Sequence, residues 1–324
     1  MERVFSGIQP TGELHVGNYL GAVRSWVQMQ QEHECIFCVV DLHALTSPYE
    51  PSGMVDATLD LAAGLLACGI DLQRSTLFIQ SQVPQHAELA WMLSAFTPLG
   101  HLHRQTQFKS RSLQQLDDIN AGLFSYPVLQ AADILLYKAT RVPVGEDQAQ
   151  HLELSREIAR RFNERFGETF PEPRTMLTAT GSIRGLDGQA KMSKSQGNTL
   201  RIDEEPAELS RKLAGAAVDP NRRRPADAGN PLACNIFTLH TFFSQMRKVE
   251  ELRRDCSSAR LACEDCKSTL AVSMESHLAP IRQRWAQLRS NPDLIRGYLE
   301  AGRDRCVALA SQTMAEVRRK LGLL

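Results

Sequence analysis

The chain has 324 residues, of which 43% are hydrophobic and 23% are charged, so it is globular and long enough for two domains. Its 37 Lys and Arg residues balance its 37 Asp and Glu residues, which excludes the general basic excess of a dedicated nucleic-acid binder. Met-Glu-Arg is not followed by an apolar leader, and no window resembles a membrane span of about eighteen apolar residues. We therefore expect a cytoplasmic protein without a membrane partner, whose eight cysteines are reduced.

Short apolar runs alternate with longer helical patterns up to about residue 185, which is typical of an α/β domain. The runs at residues 4–5, 36–40 and 77–79 are suited to strands of a parallel sheet that are buried on both faces. Helices are predicted between and after them, at residues 56–68, 87–96 and 147–166. The pattern predicts a doubly wound parallel sheet with ligands at the carboxyl ends of its strands.

The first strand leads directly into a turn and then a predicted helix at residues 17–30. Gly7, Pro10 and Gly12 form the turn, and His15-Val16-Gly17-Asn18 stands at the start of the helix. Free backbone N–H groups and the positive end of the helix dipole would face a phosphate there. His15 would add a side-chain donor, so this segment is a candidate phosphate site.

A second motif, Lys191-Met192-Ser193-Lys194-Ser195, follows 176 positions after His15 in a polar, glycine-rich stretch. A mobile loop there could bring two ammonium groups onto a triphosphate and stabilise a leaving pyrophosphate. Each motif alone is open to another interpretation, a chance tetrapeptide or a solvated loop. Their order, spacing and setting together predict an ATP site.

The chain becomes helical after this loop. Apolar residues recur at three or four positions between 270 and 288, Asn291-Pro292 forms a cap for a further helix, and residues 307–321 are amphipathic to the end. We expect a catalytic domain at 1–185, a loop at 186–200, a helical domain at 201–290, and C-terminal helices at 291–324 that pack back on the catalytic domain.

The two motifs resemble the HIGH and KMSKS signatures of class I aminoacyl-tRNA synthetases. Longer segments resemble the bacterial tryptophanyl-tRNA synthetase family: residues 4–12, 41–44, 106–109, 131–137 and 142–148. The resemblance implies a Rossmann-like catalytic domain, an all-helical anticodon-binding domain and a homodimer. It implies that L-tryptophan is activated by ATP with Mg²⁺ to tryptophanyl-adenylate and pyrophosphate, and is then transferred to the 3′-terminal adenosine of tRNA(Trp).

The resemblance also implies which residues form the site. The catalytic groups are His15, Asn18, Lys191 and Lys194. The ATP contacts are Gln9, Thr11, Gly17, Asn18, Gly145, Asp147, Lys191, Met192, Ser193, Lys194 and Ser195. The tryptophan contacts are Phe5, Gly7, His43, Tyr126, Asp133 and Gln148. Two positions depart from the family pattern in ways that affect the detailed pocket contacts, since Gln130 stands where we expect methionine and Arg111 where we expect lysine.

Asp133 supports the substrate assignment independently. Its neighbours at 131, 132 and 134–136 are all apolar, and a carboxylate buried there without a donor is costly. Indole has one N–H donor and no acceptor, so this carboxylate suits tryptophan. The alternative is an internal pair with an arginine or a helix end. A site built around such a bond rejects analogues that lack it by ~10⁴ to 10⁵, so no editing domain is needed.

Four cysteines lie after the KMSKS loop, at Cys234, Cys256, Cys263 and Cys266. One C-x2-C pair together with two more widely spaced cysteines can hold a cubane cluster, and the alternatives are zinc and four free thiols. The arrangement resembles that of a subset of bacterial tryptophanyl-tRNA synthetases with a 4Fe-4S cluster, and implies a role in structure or anticodon recognition. Cys35, Cys38 and Cys68 are expected to be packing residues.

Three other functions compete with this interpretation. A tyrosyl-type class I synthetase would need polar groups directed at a hydroxyl. A small-molecule nucleotidyltransferase would need neither the C-terminal helices nor the KMSKS loop. An iron–sulfur RNA-binding relative that lacks aminoacylation would not need both ATP motifs.

Overall fold

Five parallel strands form one sheet in the computed structural model of the protein, which describes residues 2–106, 120–145, 149–177 and 183–324. The strands are β1 (Arg3–Ile8), β2 (Glu34–Val39), β3 (Ser75–Ile79), β4 (Arg141–Val144) and β5 (Arg174–Leu177). Their order is β3-β2-β1-β4-β5. The chain moves outward from β1 to β3 and then crosses back to β4, so the direction of winding reverses between β1 and β4. This confirms the predicted doubly wound, Rossmann-like sheet.

Thirteen labelled α-helices accompany the sheet within the described residues. They are α1 (Val16–Asn18), α2 (Arg24–Met29), α3 (Asp41–Ala44), α4 (Pro51–Ala67), α5 (Gln85–Ser94), α6 (Leu99–His103), α7 (Ala121–Leu136), α8 (Ala149–Phe166), α9 (Pro206–Gly215), α10 (Asn235–Phe243), α11 (Met246–Ser257), α12 (Cys263–Arg289) and α13 (Pro292–Leu321). The single helix predicted at 17–30 is interrupted by a π-helical turn at Tyr19–Val23, a feature that recurs near functional sites.

The contacts divide the chain into two compact units. The first comprises Met1–Thr11, Ser25–Ala179 and Asn291–Leu324. Its core includes residues on both faces of β2. The helix α13 packs closely on β3 at Gly302, where a methyl group in place of the glycine hydrogen would overlap the carbonyl oxygen of Leu77. Arg318 of α13 also forms a bidentate ion pair with Glu88 of α5, with N–O distances of 2.8 and 2.7 Å.

The second unit comprises Gly12–Arg24 and Thr180–Ser290. The segment that carries His15 is held within it by backbone hydrogen bonds, from Val16 N–H to the Leu200 carbonyl at 2.8 Å and from Ile202 N–H to the Leu14 carbonyl at 3.1 Å. The Tyr19 hydroxyl lies 2.8 Å from His277 Nε2 of α12. The first signature segment is therefore part of the same unit as the KMSKS loop and the helices at 201–290.

Among the helices in the described part of the chain, none is both long enough and apolar enough to cross a membrane.

Candidate active site

His15 is the N-cap of α1. Its Nδ1 accepts a hydrogen bond from the Asn18 N–H at 3.3 Å, and the Asn18 side-chain oxygen accepts from the His15 N–H at 3.2 Å. Burial, together with the positive charge of Lys191, lowers the pKa of His15 to about 4. The ring is therefore neutral at pH 7, and because Nδ1 is an acceptor, its proton lies on Nε2. The predicted donor role of His15 belongs to this second nitrogen.

Gly17 and Met192 connect the two signature motifs. The Gly17 N–H donates to the Met192 sulfur at 3.3 Å, and Met192 is only 2% exposed. A Cβ at Gly17 would lie 3.0 Å from the His15 ring and 3.2 Å from Met192 Cβ, so a larger residue would push the motifs apart. The close approach explains why glycine stands at this position of the first motif.

Lys194 lies against the turn before His15. Gly12 has a φ of +99°, and the position of a Cβ on it would be 3.3 Å from Lys194 Nζ. The structure therefore brings the Lys194 ammonium group beside the first motif. Lys191 and Lys194 are both exposed, while Ser193 is half-buried and the side chain of Ser195 lies outside the description.

Asn198 anchors the KMSKS loop and was not identified from the sequence. It is 4% exposed, accepts from the Ser193 N–H at 2.9 Å, and donates to Asp187 at 2.9 Å. Gly185 leaves room for it, because a Cβ there would overlap the Asn198 side chain. The sequence offered only a weak signal, a polar residue next to the motif.

Asp133 lies in α7 and is 2% exposed. Its Oδ1 accepts from Gln80 Nε2 at 2.8 Å and from His86 Nδ1 at 2.6 Å, and its Oδ2 accepts from His43 Nε2 at 2.8 Å. Burial alone would raise the pKa of Asp133, but the hydrogen bonds from His43 and His86 outweigh it and hold that pKa well below its usual range. The carboxylate is ionised, and its internal partners are two histidines and a glutamine rather than an arginine or a helix end.

Tyr126 lies next to this cluster. Its hydroxyl is 2.9 Å from His151 Nε2, and its ring meets His43 edge-on at a centroid distance of 6.2 Å. Phe5 is 4% exposed and stacks on Tyr137 at 5.6 Å, so its ring is packed in the core. Gln80, His86 and His151 are buried polar residues that sequence reasoning missed, since each is distant along the chain from the residue that it contacts.

The remaining predicted contacts lie at the ends of strands. Gly7 is exposed near the end of β1, where a Cβ would be 2.7 Å from Val40 Cγ1. Thr11 Oγ1 is 3.4 Å from Gln9 Oε1, and Gly145 is exposed directly after β4. Asp147 and Gln148, and also Arg111, lie outside the described residues.

The four predicted metal ligands line one small cavity of about 20 Å³: Cys234, Cys256, Cys263 and Cys266. Arg222 Nη1 lies 3.6 Å from the Cys263 sulfur, and His240 Nε2 lies 3.5 Å from the Cys266 sulfur. Across the residues that the structure describes, no three His, Cys, Asp or Glu side chains are arranged to hold a metal ion. The buried Cys35 and Cys38 pack in the core of β2.

Comparisons with known proteins agree with this geometry. Residues 1–279 match the model of the family "tRNA synthetases class I (W and Y)". The tryptophan–tRNA ligase of Deinococcus radiodurans is 47% identical, covering 100% of this chain and 99% of the relative, and that of Synechocystis is 43% identical, covering 99% and 98%. The crystal structure of Campylobacter jejuni tryptophanyl-tRNA synthetase complexed with ADP and tryptophan superposes with a TM-score of 0.89 at 34% identity, over 99% of this chain and 100% of that one. The chain therefore belongs to the class I tRNA synthetases for tryptophan and tyrosine, and within them to the tryptophan–tRNA ligases.

Proposed function

We propose that the protein activates L-tryptophan with ATP to form tryptophanyl-adenylate and pyrophosphate, and then transfers tryptophan to the 3′-terminal adenosine of tRNA(Trp). One observation carries this assignment: a tryptophan–tRNA ligase is 47% identical to the chain over its whole length. The enzyme is a tryptophan–tRNA ligase of class I, and ATP with Mg²⁺ is its substrate complex.

The two signature motifs supply the groups for the ATP reaction. His15 donates through Nε2, and the ammonium groups of Lys191 and Lys194 stabilise negative charge on the departing pyrophosphate. Asn18 fixes the His15 ring by the reciprocal cap, so its role is to orient the donor. Gln9, Thr11, Gly17, Gly145, Asp147, Met192, Ser193 and Ser195 complete the proposed set of ATP contacts.

Asp133 is the proposed acceptor for the indole N–H. An ionised carboxylate offers about four lone-pair positions. Donors among the described residues occupy three of them, two on Oδ1 and one on Oδ2, which leaves one position on Oδ2 for the substrate. His43 and Tyr126 lie beside it, and Phe5, Gly7 and Gln148 are the other proposed tryptophan contacts.

Amino-acid-dependent pyrophosphate exchange tests the assignment. We expect exchange with L-tryptophan and a kcat/KM at least ~10⁴-fold lower with L-tyrosine, since a phenol offers its donor at another position. Charging of a tRNA(Trp) transcript should follow. The reverse preference would identify a tyrosyl-type enzyme, and an absence of exchange with both amino acids would favour a relative that has lost aminoacylation.

The cysteine cavity is the proposed site of a 4Fe-4S cluster. Four thiols around one cavity fit the donor chemistry of a cluster, and the N–H groups of Arg222 and His240 are near two of the sulfurs. When bound, the cluster would tie the start of α10 to α11 and α12 through its iron–sulfur bonds.

Metal analysis of protein prepared without oxygen tests the cluster. We expect iron and sulfide that are lost when Cys234, Cys256, Cys263 or Cys266 is replaced by serine, and retained in the control Cys68→Ser. Stoichiometric zinc would instead identify a zinc site. Because the cysteines lie within and on either side of the basic helix α11, cluster loss should impair tRNA charging more than pyrophosphate exchange. Equal loss in both assays would instead indicate that the cluster holds together the whole unit, which also contains both ATP motifs.

The finer organisation is also a proposal. Residues 1–185 form the catalytic domain, although residues 12–24 of it belong to the second compact unit. Residues 201–290 bind the anticodon region, and residues 291–324 support the catalytic domain. Basic residues of α11 are candidate phosphate contacts: Arg247, Lys248, Arg253 and Arg254. The protein is a cytoplasmic homodimer, in which the exposed Trp91 (80%) and Leu99 (65%) would be buried. Sedimentation equilibrium tests the dimer, and a monomer at micromolar concentration would contradict it.

A further inference from the structure

A chain of buried polar side chains continues behind Asp133. His86 contacts Asp133 through Nδ1, and its Nε2 lies 2.7 Å from the Tyr137 hydroxyl. The Cys306 thiol of α13 lies next to the Tyr137 hydroxyl. None of the four side chains is more than 2% exposed, so solvent does not replace any of these contacts.

The chemistry of the groups sets the direction of the protons. An ionised carboxylate only accepts hydrogen bonds, so His86 must donate to Asp133 through Nδ1. An imidazole that donates through Nδ1 and carries one proton has its lone pair on Nε2, where it accepts the Tyr137 O–H. Phe78 stacks on the His86 ring at 5.7 Å and meets Tyr137 edge-on at 5.8 Å, which restricts rotation of both rings.

We propose that His86 and Tyr137 are positioning residues for tryptophan selection. Tyr137 fixes His86 as the Nδ1–H tautomer, and this donor, with Gln80, holds Oδ1 of Asp133 so that the spare lone pair on Oδ2 faces the substrate. The inference rests on the proposed role of Asp133 as the acceptor for indole. It adds His86 and Tyr137 to the groups that determine specificity. His86 is 47 positions from Asp133 and 51 positions from Tyr137 in the sequence.

The charged and titratable groups around Asp133 support this arrangement. His43 and His86 face the carboxylate, and Cys38, Tyr137 and Cys306 lie close enough to influence one another electrostatically. Burial raises the pKa of Cys306 to about 12, and burial likewise raises the pKa values of Cys38 and Tyr137. These three groups are neutral near pH 7 and carry no charge that would offset the loss of a donor to Asp133. Loss of the His86 donor should therefore raise the pKa of Asp133.

Tyr137→Phe is the first test, because it removes one hydroxyl and keeps the ring. We expect kcat/KM for tryptophan in pyrophosphate exchange to fall about 10-fold, mainly through KM, while KM for ATP is unchanged. The isostere 3-benzothienyl-alanine has sulfur in place of the indole N–H. Its kcat/KM should fall much less, so discrimination between the two substrates should narrow about 10-fold.

A matched control removes another buried hydroxyl near α5. Thr97 is 9% exposed, and its hydroxyl donates to the Leu93 carbonyl at 2.9 Å. Thr97→Val should leave the discrimination ratio unchanged. If Tyr137→Phe lowers kcat/KM for both substrates equally, as a general loss of packing would, the positioning role is wrong.

His86 variants separate the donor from the ring. Asparagine can place an N–H close to the position of Nδ1, so His86→Asn should retain most of the discrimination that His86→Leu loses. In His86→Leu the acid limb of kcat/KM for tryptophan should also move to higher pH, because Asp133 loses a donor to its ionised form. Equal kinetics and equal pH profiles in both variants would overturn the proposal. If Asp133→Asn also has wild-type kinetics, the proposed tryptophan site itself is wrong, whereas an impaired Asp133→Asn with normal His86 variants rejects only the positioning chain.

Discussion

Replacement of Asp133 by asparagine is the sharpest test of the tryptophan site. The side chain has nearly the same shape, but it is neutral and has one acceptor atom in place of two. The amide oxygen can still accept from Gln80 and His86 at the Oδ1 position. The amide nitrogen then stands where Oδ2 accepts from His43, and it presents a donor to the indole N–H.

The expected loss follows from this geometry. A hydrogen bond to a charged acceptor contributes about 1.5 to 3 kcal/mol, and the variant replaces it by two opposed donors. We therefore expect a loss near the upper end of that range, about 2 to 3 kcal/mol, or roughly 30- to 160-fold in kcat/KM for tryptophan. Asp133→Ala is a poorer test, because it leaves three buried donors without a partner at about 1 to 3 kcal/mol each, and the total approaches the stability of a whole domain.

The assay is tryptophan-dependent pyrophosphate exchange, with thermal unfolding to show that the variant is folded. KM for ATP should stay within about 2-fold of the wild type, because Asp133 is assigned no contact with the nucleotide. The isostere without an N–H provides the internal control, since its kcat/KM should change little. A folded Asp133→Asn enzyme with an unchanged kcat/KM for tryptophan would refute the assignment.

Three further predictions concern other parts of the molecule. Lys194→Ala should slow adenylate formation about 100-fold in a single-turnover assay with an unchanged affinity for tryptophan, and an effect on affinity alone would contradict it. His15 should titrate near pH 4 by NMR, and Lys191→Ala should raise that pKa by removing a like charge; a midpoint near 6.5 would show that the ring is not buried as described. Gly302→Ala should destabilise the protein by about 3 kcal/mol, whereas Gly297→Ala on the same helix, with open space around it, should stabilise it by about 0.5 kcal/mol; equal unfolding midpoints would show that α13 does not pack closely on β3.

The sheet shows how far the sequence alone could lead. β1, β2 and β3 were predicted because their apolar runs are continuous, as expected for strands buried on both faces. β4 and β5 have only four residues each and begin with an arginine, so their pattern is too short to distinguish from a loop. The carboxyl ends of the helices predicted at 56–68, 87–96 and 147–166 lie within two residues of the observed ends. The start of α4 was predicted wrongly, because the helix begins at Pro51, which the prediction did not use as a helix start.

The ATP motifs were predicted as separate segments, and the structure adds the contacts between them. The His15–Asn18 cap is local and could be expected from the spacing of the motif. The contact of Gly17 with Met192 joins residues 175 positions apart, and no periodicity in the sequence signals it. Asn198 was missed for the same reason, because its function in the loop depends on bonds to Ser193 and Asp187.

Asp133 shows why the local sequence could indicate a site without indicating which residues complete it. An apolar flank indicates that a buried carboxylate needs donors, but it does not indicate which residues supply them. The structure supplies three, from α3, α5 and the segment after β3, so the carboxylate is stable without substrate. If Asp133 accepts from the indole N–H as proposed, selectivity for tryptophan does not arise from an unpaired charge. It would arise from the direction of the lone pair that the three donors leave on Oδ2, and the residues that hold Asp133 in place would then matter as much as the carboxylate itself.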